Sequence, residues 1–309
     1  MNVLNFYTSL YGALYNRRWL YPRMLSPLRF VVRKLANYQI PSYLSKGCSK
    51  IKGERYDGLI VSFTSFPARI DKVWMVVECL KRQTVLPEKI ILWLSKEQFP
   101  HRELIPQSLW SRVDDLFEIR MVDGDLKSHK KYYYAFSTFP NKKIITVDDD
   151  VFYHTSMIWH LVMCSRIYPN YVISNMTKQF SFDNDGNLLP YEQWQYCLQP
   201  FTCHHLIQIG VGGVLYPPNR LHLLTLRDDL FSSLAPSADD LWLNCMARLK
   251  GTLVIQSNNI SLPLEIANNS PSLSTINMGN KQNDRQIFLL RNYLHENKLL
   301  DVYNASEQN

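Results

Sequence analysis

The sequence predicts an α/β fold in which buried strands alternate with amphipathic helices. Strand-like and helix-like segments alternate four times between residues 56 and 153, and the last of these strands ends in three consecutive aspartates. Parallel strands that are covered on both faces have continuous apolar runs, and strand–helix–strand units with short connections place their strands parallel. We therefore expect a Rossmann-like, nucleotide-binding α/β layer in the first half of the chain.

Three strands are predicted before the aspartates. Each is a short apolar run with β-branched residues, at 58–64, 89–94 and 117–122. The helices between these strands have apolar side chains at helical spacing, over residues 71–83 and 128–136.

The fourth strand, I-I-T-V at residues 144–147, is followed directly by Asp148, Asp149 and Asp150. Ligands collect at the carboxyl ends of strands in open α/β sheets, and alternate side chains of an extended segment point to opposite sides. We therefore predict that Asp148 and Asp150 share a divalent cation, which relieves the repulsion among the carboxylates, while Asp149 points elsewhere. The alternative is a solvated acidic turn that caps the next helix.

The alternation of strands and helices weakens after residue 153. Segment 210–218, G-V-G-G-V-L-Y-P-P, suits either a backbone that approaches a ligand closely or a tight turn without one. A helix is predicted to begin at Asp239 and Asp240, whose carboxylates are either N-terminal caps on the helix dipole or functional groups. The other predicted elements are a helix at 157–164, a strand at 171–174, a hairpin turn at 182–186, strands at 252–256 and 261–264, and a helix at 284–294.

The composition restricts the partners and the compartment. The first 50 residues carry eight lysines and arginines and no acidic residue, whereas the other 26 basic and 27 acidic residues nearly balance. A nucleic-acid groove spreads its positive charge through the fold, so nucleic acid is not an expected partner. The six cysteines show no C-x-x-C pair, which indicates free thiols in a reducing compartment. No apolar run reaches the roughly 18 residues that span a bilayer, and no secretory signal is recognised, so we expect a cytoplasmic protein.

Residues 1–50 are predicted to form a basic, aromatic-rich arm. Its aromatic residues and leucines interleave with arginines, which is typical of a segment that lies on an anionic membrane surface. This arm would hold the protein peripherally on the inner face of the cell membrane. The alternative is that its helices pack on the main domain and its arginines are solvated.

Six stretches together resemble one family. They are V-S-F-T-S-F-P-A-R-I at 61–70, L-K-R-Q-T-V-L-P-E-K-I-I-L-W-L at 80–94, H-K-K-Y-Y-Y-A at 129–135, V-D-D-D at 147–150, G-V-G-G-V-L-Y-P-P at 210–218 and A-D-D-L-W at 238–242. In this order they resemble bacterial glycosyltransferases of the GT-A type found in capsule and lipopolysaccharide (O-antigen) assembly. The resemblance covers about residues 57–290. It implies one GT-A domain at 51–295, with a nucleotide-binding part at 57–153, an acceptor part at 154–295, and a C-terminal tail at 296–309.

Sugar transfer from a nucleotide sugar requires metal-binding and diphosphate-binding groups on chemical grounds, apart from any family resemblance. Transfer from a nucleotide sugar, which we expect to be a UDP-sugar, passes through an oxocarbenium-like transition state and leaves a diphosphate whose charge must be stabilised. Mn²⁺ or Mg²⁺ on Asp148 and Asp150 would bridge that diphosphate, because oxygen ligands favour these ions. His204 or His205 is a candidate for completing the metal shell or is structural. The residues predicted to bind the nucleotide are Thr64, Arg69, Asp125, Lys130, Lys131 and Asp149.

The acceptor side is predicted in the second half of the chain. Asp239 or Asp240 is the candidate base if the sugar is transferred with inversion, and would only orient the acceptor if configuration is retained. The acceptor is expected to be a saccharide or a lipid-linked glycan, contacted by Gly212 and Gly213, with Trp194 and Trp242 either stacking on sugar faces or packed in the core. Two other functions remain open: a metal-dependent phosphoester hydrolase with further His and Asp ligands, and a catalytically silent, membrane-docked sugar-binding module.

Overall fold

The computed structural model describes residues 1–15, 25–47, 53–197, 205–258, 263–267 and 281–304. In chain order the strands are β1 (Glu54–Thr64), β2 (Val85–Ser95), β3 (Phe117–Val122), β4 (Lys143–Thr146), β5 (Val151–Phe152), β6 (Val172–Ser174), β7 (Thr177–Gln179), β8 (Gln195–Tyr196), β9 (Leu206–Gln208), β10 (Val214–Tyr216), β11 (Val254–Gln256) and β12 (Leu264–Glu265). Four of the eight basic residues at 1–50 (Arg17, Arg18, Arg23 and Lys50) and two of the six cysteines (Cys48 and Cys203) lie outside the described ranges. His204 and part of the predicted strand 261–264 also lie outside them.

Seven strands form a mixed central sheet in the order β11-β6-β10-β4-β1-β2-β3. The first four strands are parallel to one another, whereas β10 runs antiparallel to both β4 and β6. The predicted α/β class with a mixed, mainly parallel, Rossmann-like central sheet is therefore confirmed. The remaining strands of the described residues form two small antiparallel sheets, β5 with β12 and β8-β7-β9.

The helices cover both faces of this sheet. They are α1 (Val3–Tyr15), α2 (Ser26–Ser45), α3 (Val73–Lys81), α4 (Gln107–Trp110), α5 (Lys130–Thr138), α6 (Met157–Ile167), α7 (Asp228–Leu234), α8 (Asp239–Leu249) and α9 (Gln282–Glu296). Alternate residues of β1 face opposite layers: Val61 belongs to the apolar cluster that includes residues of α3 and α6, and Ile60 belongs to the one that includes Ala135 of α5. Both side chains are buried, which explains why β1 has an uninterrupted apolar run.

The strand order reverses between β1 and β4. The chain passes from β1 to β2 and β3 on one side and then returns to β4 on the other side of β1. At such a reversal the connections leave in opposite directions and open a crevice outside the carboxyl ends of the strands, where α/β sheets bind their ligands. Residues 65–69 follow β1, and residues 147–150 follow β4, at this crevice.

The N-terminal segment is part of the body of the domain. Leu4, Tyr7, Val32 and Ile40 of α1 and α2 belong to the main apolar cluster, and the side-chain amide of Asn5 donates to Thr155 Oγ1 at 2.8 Å. The described helices of this segment, α1 and α2, therefore pack on the domain. No helix among the described residues is long and apolar enough to cross a bilayer.

Candidate active site

Arg69 joins the two strand ends at the reversal. Its Nη1 atom lies 2.8 Å from Asp149 Oδ1 and 2.8 Å from Asp150 Oδ2, and Ser65 Oγ donates to Asp149 Oδ2 at 2.5 Å. β4 ends at Thr146, and Asp149 and Asp150 lie in a bend. The alternation expected of an extended segment therefore does not apply, and Asp149 and Asp150 share one guanidinium.

Lys131 joins the aspartate triplet to the acidic pair of the second half. Its Nζ atom lies 2.8 Å from Asp148 Oδ1 and 2.8 Å from Asp239 Oδ2. Although burial opposes the charge of this lysine, Asp148 and Asp239 raise its pKa well above the usual value. Two sequence motifs more than 80 residues apart in the chain thus meet on one buried ammonium group.

The structure separates the roles of Asp239 and Asp240. Although burial opposes ionisation of Asp239, the positive charge of Lys131 lowers its pKa. Asp240 is only partly buried, and its Oδ2 accepts a hydrogen bond from the backbone N–H of Gly210 at 2.9 Å. Burial, followed by the charge of Asp239, raises the pKa of Asp240 to about 8.

Gly210 allows this close approach. A Cβ atom at this position would lie 2.9 Å from Asp240 Oδ1 and 3.2 Å from Lys131 Nζ. The glycine of segment 210–218 that meets the carboxylates is therefore Gly210. Gly212 and Gly213 serve packing and turn geometry instead: a Cβ at Gly212 would meet Met176, and Gly213 has a φ of 87°.

Negative charge exceeds positive charge at this cluster. Five carboxylates, of Asp148, Asp149, Asp150, Asp239 and Asp240, share the cations of Arg69 and Lys131. Burial, followed by the charge of Asp148, raises the pKa of Asp150 to about 7. The carboxylates of Asp148 and Asp150 therefore repel each other, and a divalent cation between them would relieve that repulsion.

The oxygen ligands at this cluster suit a divalent cation in type but are few in number. Asp148 and Asp150 offer hard oxygen ligands of the kind that Mg²⁺ and Mn²⁺ prefer. Among the described residues, no group of three or more His, Cys, Asp and Glu side chains is arranged to hold a metal. A metal here would be held by these two carboxylates and would need its other ligands from outside the described residues.

Two positioning residues were not predicted from the sequence. Tyr153 Oη accepts the backbone N–H of Asp148 at 2.9 Å and donates to the carbonyl of Val211 at 3.2 Å, which ties the triplet to the glycine segment. His129 Nε2 lies 2.8 Å from the carbonyl of Ala235, so this nitrogen carries the proton, and Nδ1 accepts from Tyr132 Oη at 2.9 Å. The sequence signals are that His129 begins the stretch at 129–135 and that Tyr153 lies three residues after the aspartate triplet.

Both tryptophans predicted to stack on sugars are core residues. Trp242 is fully buried, its indole N–H donates to the carbonyl of Thr225 at 3.0 Å, and its ring packs edge-on against Phe231. Trp194 is buried against Phe180, and its indole N–H donates to the carbonyl of Leu189. Of the two alternatives given for these side chains, core packing is the correct one.

Other predicted nucleotide or metal residues lie in separate contacts. Lys130 Nζ lies 2.5 Å from Asp125, with which it forms a local ion pair, and also donates to Gln98. Thr64 Oγ1 donates to the carbonyl of Trp93. His205 is buried with its ring against Phe182. The structure therefore unites the triplet, Arg69, Lys131 and the acidic pair, while the contacts described for Thr64, Asp125 and Lys130 are made with other residues.

Comparison with known proteins finds structural similarity only at low sequence identity. No protein-family model matches the sequence, and no match is found among curated proteins. The structure is similar to that of apo-UDP-glucose pyrophosphorylase, at 8% identity and a TM-score of 0.40, over 79% of this chain and 99% of the other. It is similar to UDP-glucose pyrophosphorylase complexed with UDP-glucose, at 8% identity and a TM-score of 0.38, over 79% and 99%.

A third similar structure is 4-diphosphocytidyl-2C-methyl-D-erythritol synthase, at 10% identity and a TM-score of 0.37, over 75% of this chain and 99% of the other. None of the three is named a glycosyltransferase. Similarities this low assign no activity to the chain.

Proposed function

We propose that the chain is a glycosyltransferase that moves a sugar from a nucleotide-sugar donor to a saccharide or lipid-linked acceptor, with inversion. The observation that carries the proposal is the meeting of the D-D-D and A-D-D motifs on Lys131, at the reversal of strand order. The ordered motifs that resemble GT-A enzymes of surface polysaccharide assembly support the finer parts of the proposal, a UDP-sugar donor and a role in capsule or lipopolysaccharide synthesis.

On the donor side, Arg69 and Lys131 supply positive charge where the leaving diphosphate gains negative charge. Both cations are held in place by aspartates, so they need little reorganisation when the donor binds. Asp148 and Asp150 would hold Mn²⁺ or Mg²⁺, which when bound supplies Lewis-acid stabilisation of the diphosphate oxygens.

On the acceptor side, Asp240 is the proposed base. Its Oδ2 is occupied by the N–H of Gly210, which leaves Oδ1 to take the proton of the acceptor hydroxyl. A pKa of about 8 suits a group that takes a proton and releases it again near neutral pH. Asp239 holds Lys131 and is a positioning residue in this scheme.

The two other functions predict different results. A phosphoester hydrolase would cleave phosphoesters without an acceptor, but the described residues show no metal-ligand group of the size that it needs. A silent sugar-binding module would bind nucleotide sugars without turnover.

The first test is ligand binding. Purified protein is heated with UDP, GDP or CMP, each with and without Mn²⁺, because a ligand that binds the folded state selectively raises the melting temperature. We expect a shift with one nucleotide that requires Mn²⁺. Asp148→Asn and Asp150→Asn should lose the Mn²⁺-dependent part and keep the fold, and wild-type metal dependence in both variants would refute the metal site.

The second test is turnover, measured as nucleotide release from the stabilising donor with candidate glycan acceptors. Asp240→Asn should lower turnover by about 10²- to 10⁴-fold and keep nucleotide affinity. The matched control is Asp229→Asn. Asp229 is an exposed aspartate of α7 that pairs with Arg227, and this variant should turn over like wild type. An Asp240→Asn variant with the wild-type rate would show that Asp240 is not the base.

A further inference from the structure

One face of α2 exposes a continuous apolar stripe. The stripe consists of Leu28, Val31, Leu35 and Tyr38, spaced three and four residues apart, which places them on one side of a helix. Their exposures are 47, 49, 44 and 82%. An apolar row of this length on a helix surface marks an interaction site more often than a solvated face.

The stripe is held rigidly by the opposite face of the same helix. Val32, Ala36, Ile40 and Leu44 are buried, with exposures of 4% or less, and belong to the main apolar cluster of the domain. The side-chain amide of Asn37 also donates to the carbonyl of Glu265 at 3.0 Å. The stripe therefore cannot turn inward without disrupting the core, and no described residue of the domain buries it.

The charge around the stripe selects the kind of surface that covers it. Lys34 lies at one edge of the stripe, over the ring of Phe30, which is itself 54% exposed, and Lys46 follows the C-terminal end of α2. No acidic residue occurs in the sequence before Glu54. The exposed Glu265 forms its ion pair with Arg33, on another side of α2, rather than with Lys34 or Lys46. Two copies of this chain packed stripe to stripe would bring Lys34 and Lys46 close to their copies, so the charge disfavours a second copy.

We propose that α2 docks on an anionic lipid surface, with the helix in the plane of the interface and the stripe in the headgroup region. Leu28, Val31, Leu35 and Tyr38 would enter the boundary between headgroups and acyl chains, and Lys34 would face the lipid phosphates. This mode needs no spanning segment. The inference rests on exposure and charge and is independent of the proposed catalytic function.

The test is co-sedimentation of the full chain with vesicles. Wild type should bind vesicles of phosphatidylcholine mixed with phosphatidylglycerol, bind pure phosphatidylcholine weakly, and release as the salt concentration rises. The double variant Val31→Ser/Leu35→Ser should lose about tenfold or more in partitioning to the anionic vesicles. Its melting temperature should stay at the wild-type value, because both side chains are exposed.

Matched controls separate the stripe from general surface stickiness. Phe288→Ser changes an apolar residue of α9 that is 60% exposed, and Leu223→Ser changes one that is 83% exposed. Both control variants should bind the anionic vesicles like wild type. Lys34→Glu should weaken binding to anionic vesicles and leave binding to phosphatidylcholine unchanged, which isolates the electrostatic part.

Three outcomes overturn the proposal. Equal sedimentation of wild type and the stripe double variant would show that the stripe does not bind lipid. Equal binding of wild type to anionic and zwitterionic vesicles would show that the charge plays no part. A wild-type dimer that the double variant dissociates, together with absent vesicle binding, would assign the stripe to a second copy of the chain.

Discussion

Lys131 offers the sharpest test of the electrostatics of the candidate site. The substitution Lys131→Met keeps a similar side-chain length and removes the ammonium group that lies 2.8 Å from both Asp148 and Asp239. Asp239 then lies buried without its cation, and the pKa of Asp240, which the charge of Lys131 lowers in the wild type, rises further. Removing one partner of a buried ion pair costs about 3–5 kcal/mol of stability.

This loss should depend on pH in a defined direction. Without Lys131 the pKa values of Asp239 and Asp240 rise in the folded protein, whereas in the unfolded chain an aspartate titrates near its model value of 3.8. Between these values the folded state binds more protons than the unfolded state, so the free energy of unfolding falls as the pH rises. Asp240 already holds its proton below about pH 8 in the wild type, so the difference between the two proteins comes from Asp239. The deficit of the variant should grow by about 1.4 kcal/mol per pH unit while Asp239 holds its proton, and be largest near pH 8.

The assay is the melting temperature of both proteins at intervals from pH 5 to pH 8. At pH 8 a loss of about 3–5 kcal/mol corresponds to a shift of roughly 6–10 °C for a chain of this size. Lys81→Met is the matched control, because Lys81 Nζ lies 2.6 Å from the partly exposed Asp114, whose hydrogen bonds to Lys81 and to backbone N–H groups hold its pKa low despite burial. Asp114 stays ionised across this range, so the deficit of the control should be nearly constant. A Lys131→Met deficit that is equally large at pH 5 and pH 8 would refute the reasoning.

Three further substitutions test the contacts around the site. Asp149→Asn removes one of the two carboxylates that lie 2.8 Å from the buried Arg69 guanidinium and should lower the melting temperature; a wild-type melting curve would contradict this. Tyr153→Phe removes the acceptor of the Asp148 N–H and should cost about 1–3 kcal/mol in a urea titration, and an unshifted midpoint would show that another group accepts this N–H. Burial lowers the pKa of His129 to about 4. Below about pH 6.5 the unfolded state binds a proton at this residue and the folded state does not, so the free energy of unfolding of wild type falls by up to about 3 kcal/mol as the pH drops towards 4. The stability gap between wild type and His129→Phe should narrow over that range, and a constant gap would contradict the assignment.

The parallel half of the sheet could be predicted because its strands are buried on both faces. Residues 117–122 form β3 as predicted, and the cores of β1, β2 and β4 coincide with the predicted apolar runs. The small sheet β8-β7-β9 was not predicted, since strands of two or three residues such as T-K-Q carry no recognisable period. Pairing partners stabilise these short strands, and a local sequence pattern does not contain that information.

The chemistry of the site could be predicted in type but not in detail. Asp148, Asp150, Asp239 and Asp240 were singled out by residue type and by their place at element ends, and the structure brings them to one cluster. Their partners depend on which side chains meet across the fold, so the bridging position of Lys131 was not predictable. A tryptophan on an amphipathic helix likewise has the same pattern whether its ring faces a ligand or, like Trp242, the core.

The pairing of β4 with β10 has a consequence for how the protein folds. Thr146 at the end of β4 pairs with Val214 at the start of β10, across about 70 residues of intervening chain. The entropy of closing such a long loop must be overcome before its contacts form, and non-local pairing of this kind slows folding. We therefore expect Lys131 to meet Asp239 only in the last stages, after the two halves of the sheet have joined. Until then the acidic pair remains in water and ionised, so a nascent chain that has emerged only as far as β5 has the aspartate triplet but no assembled site.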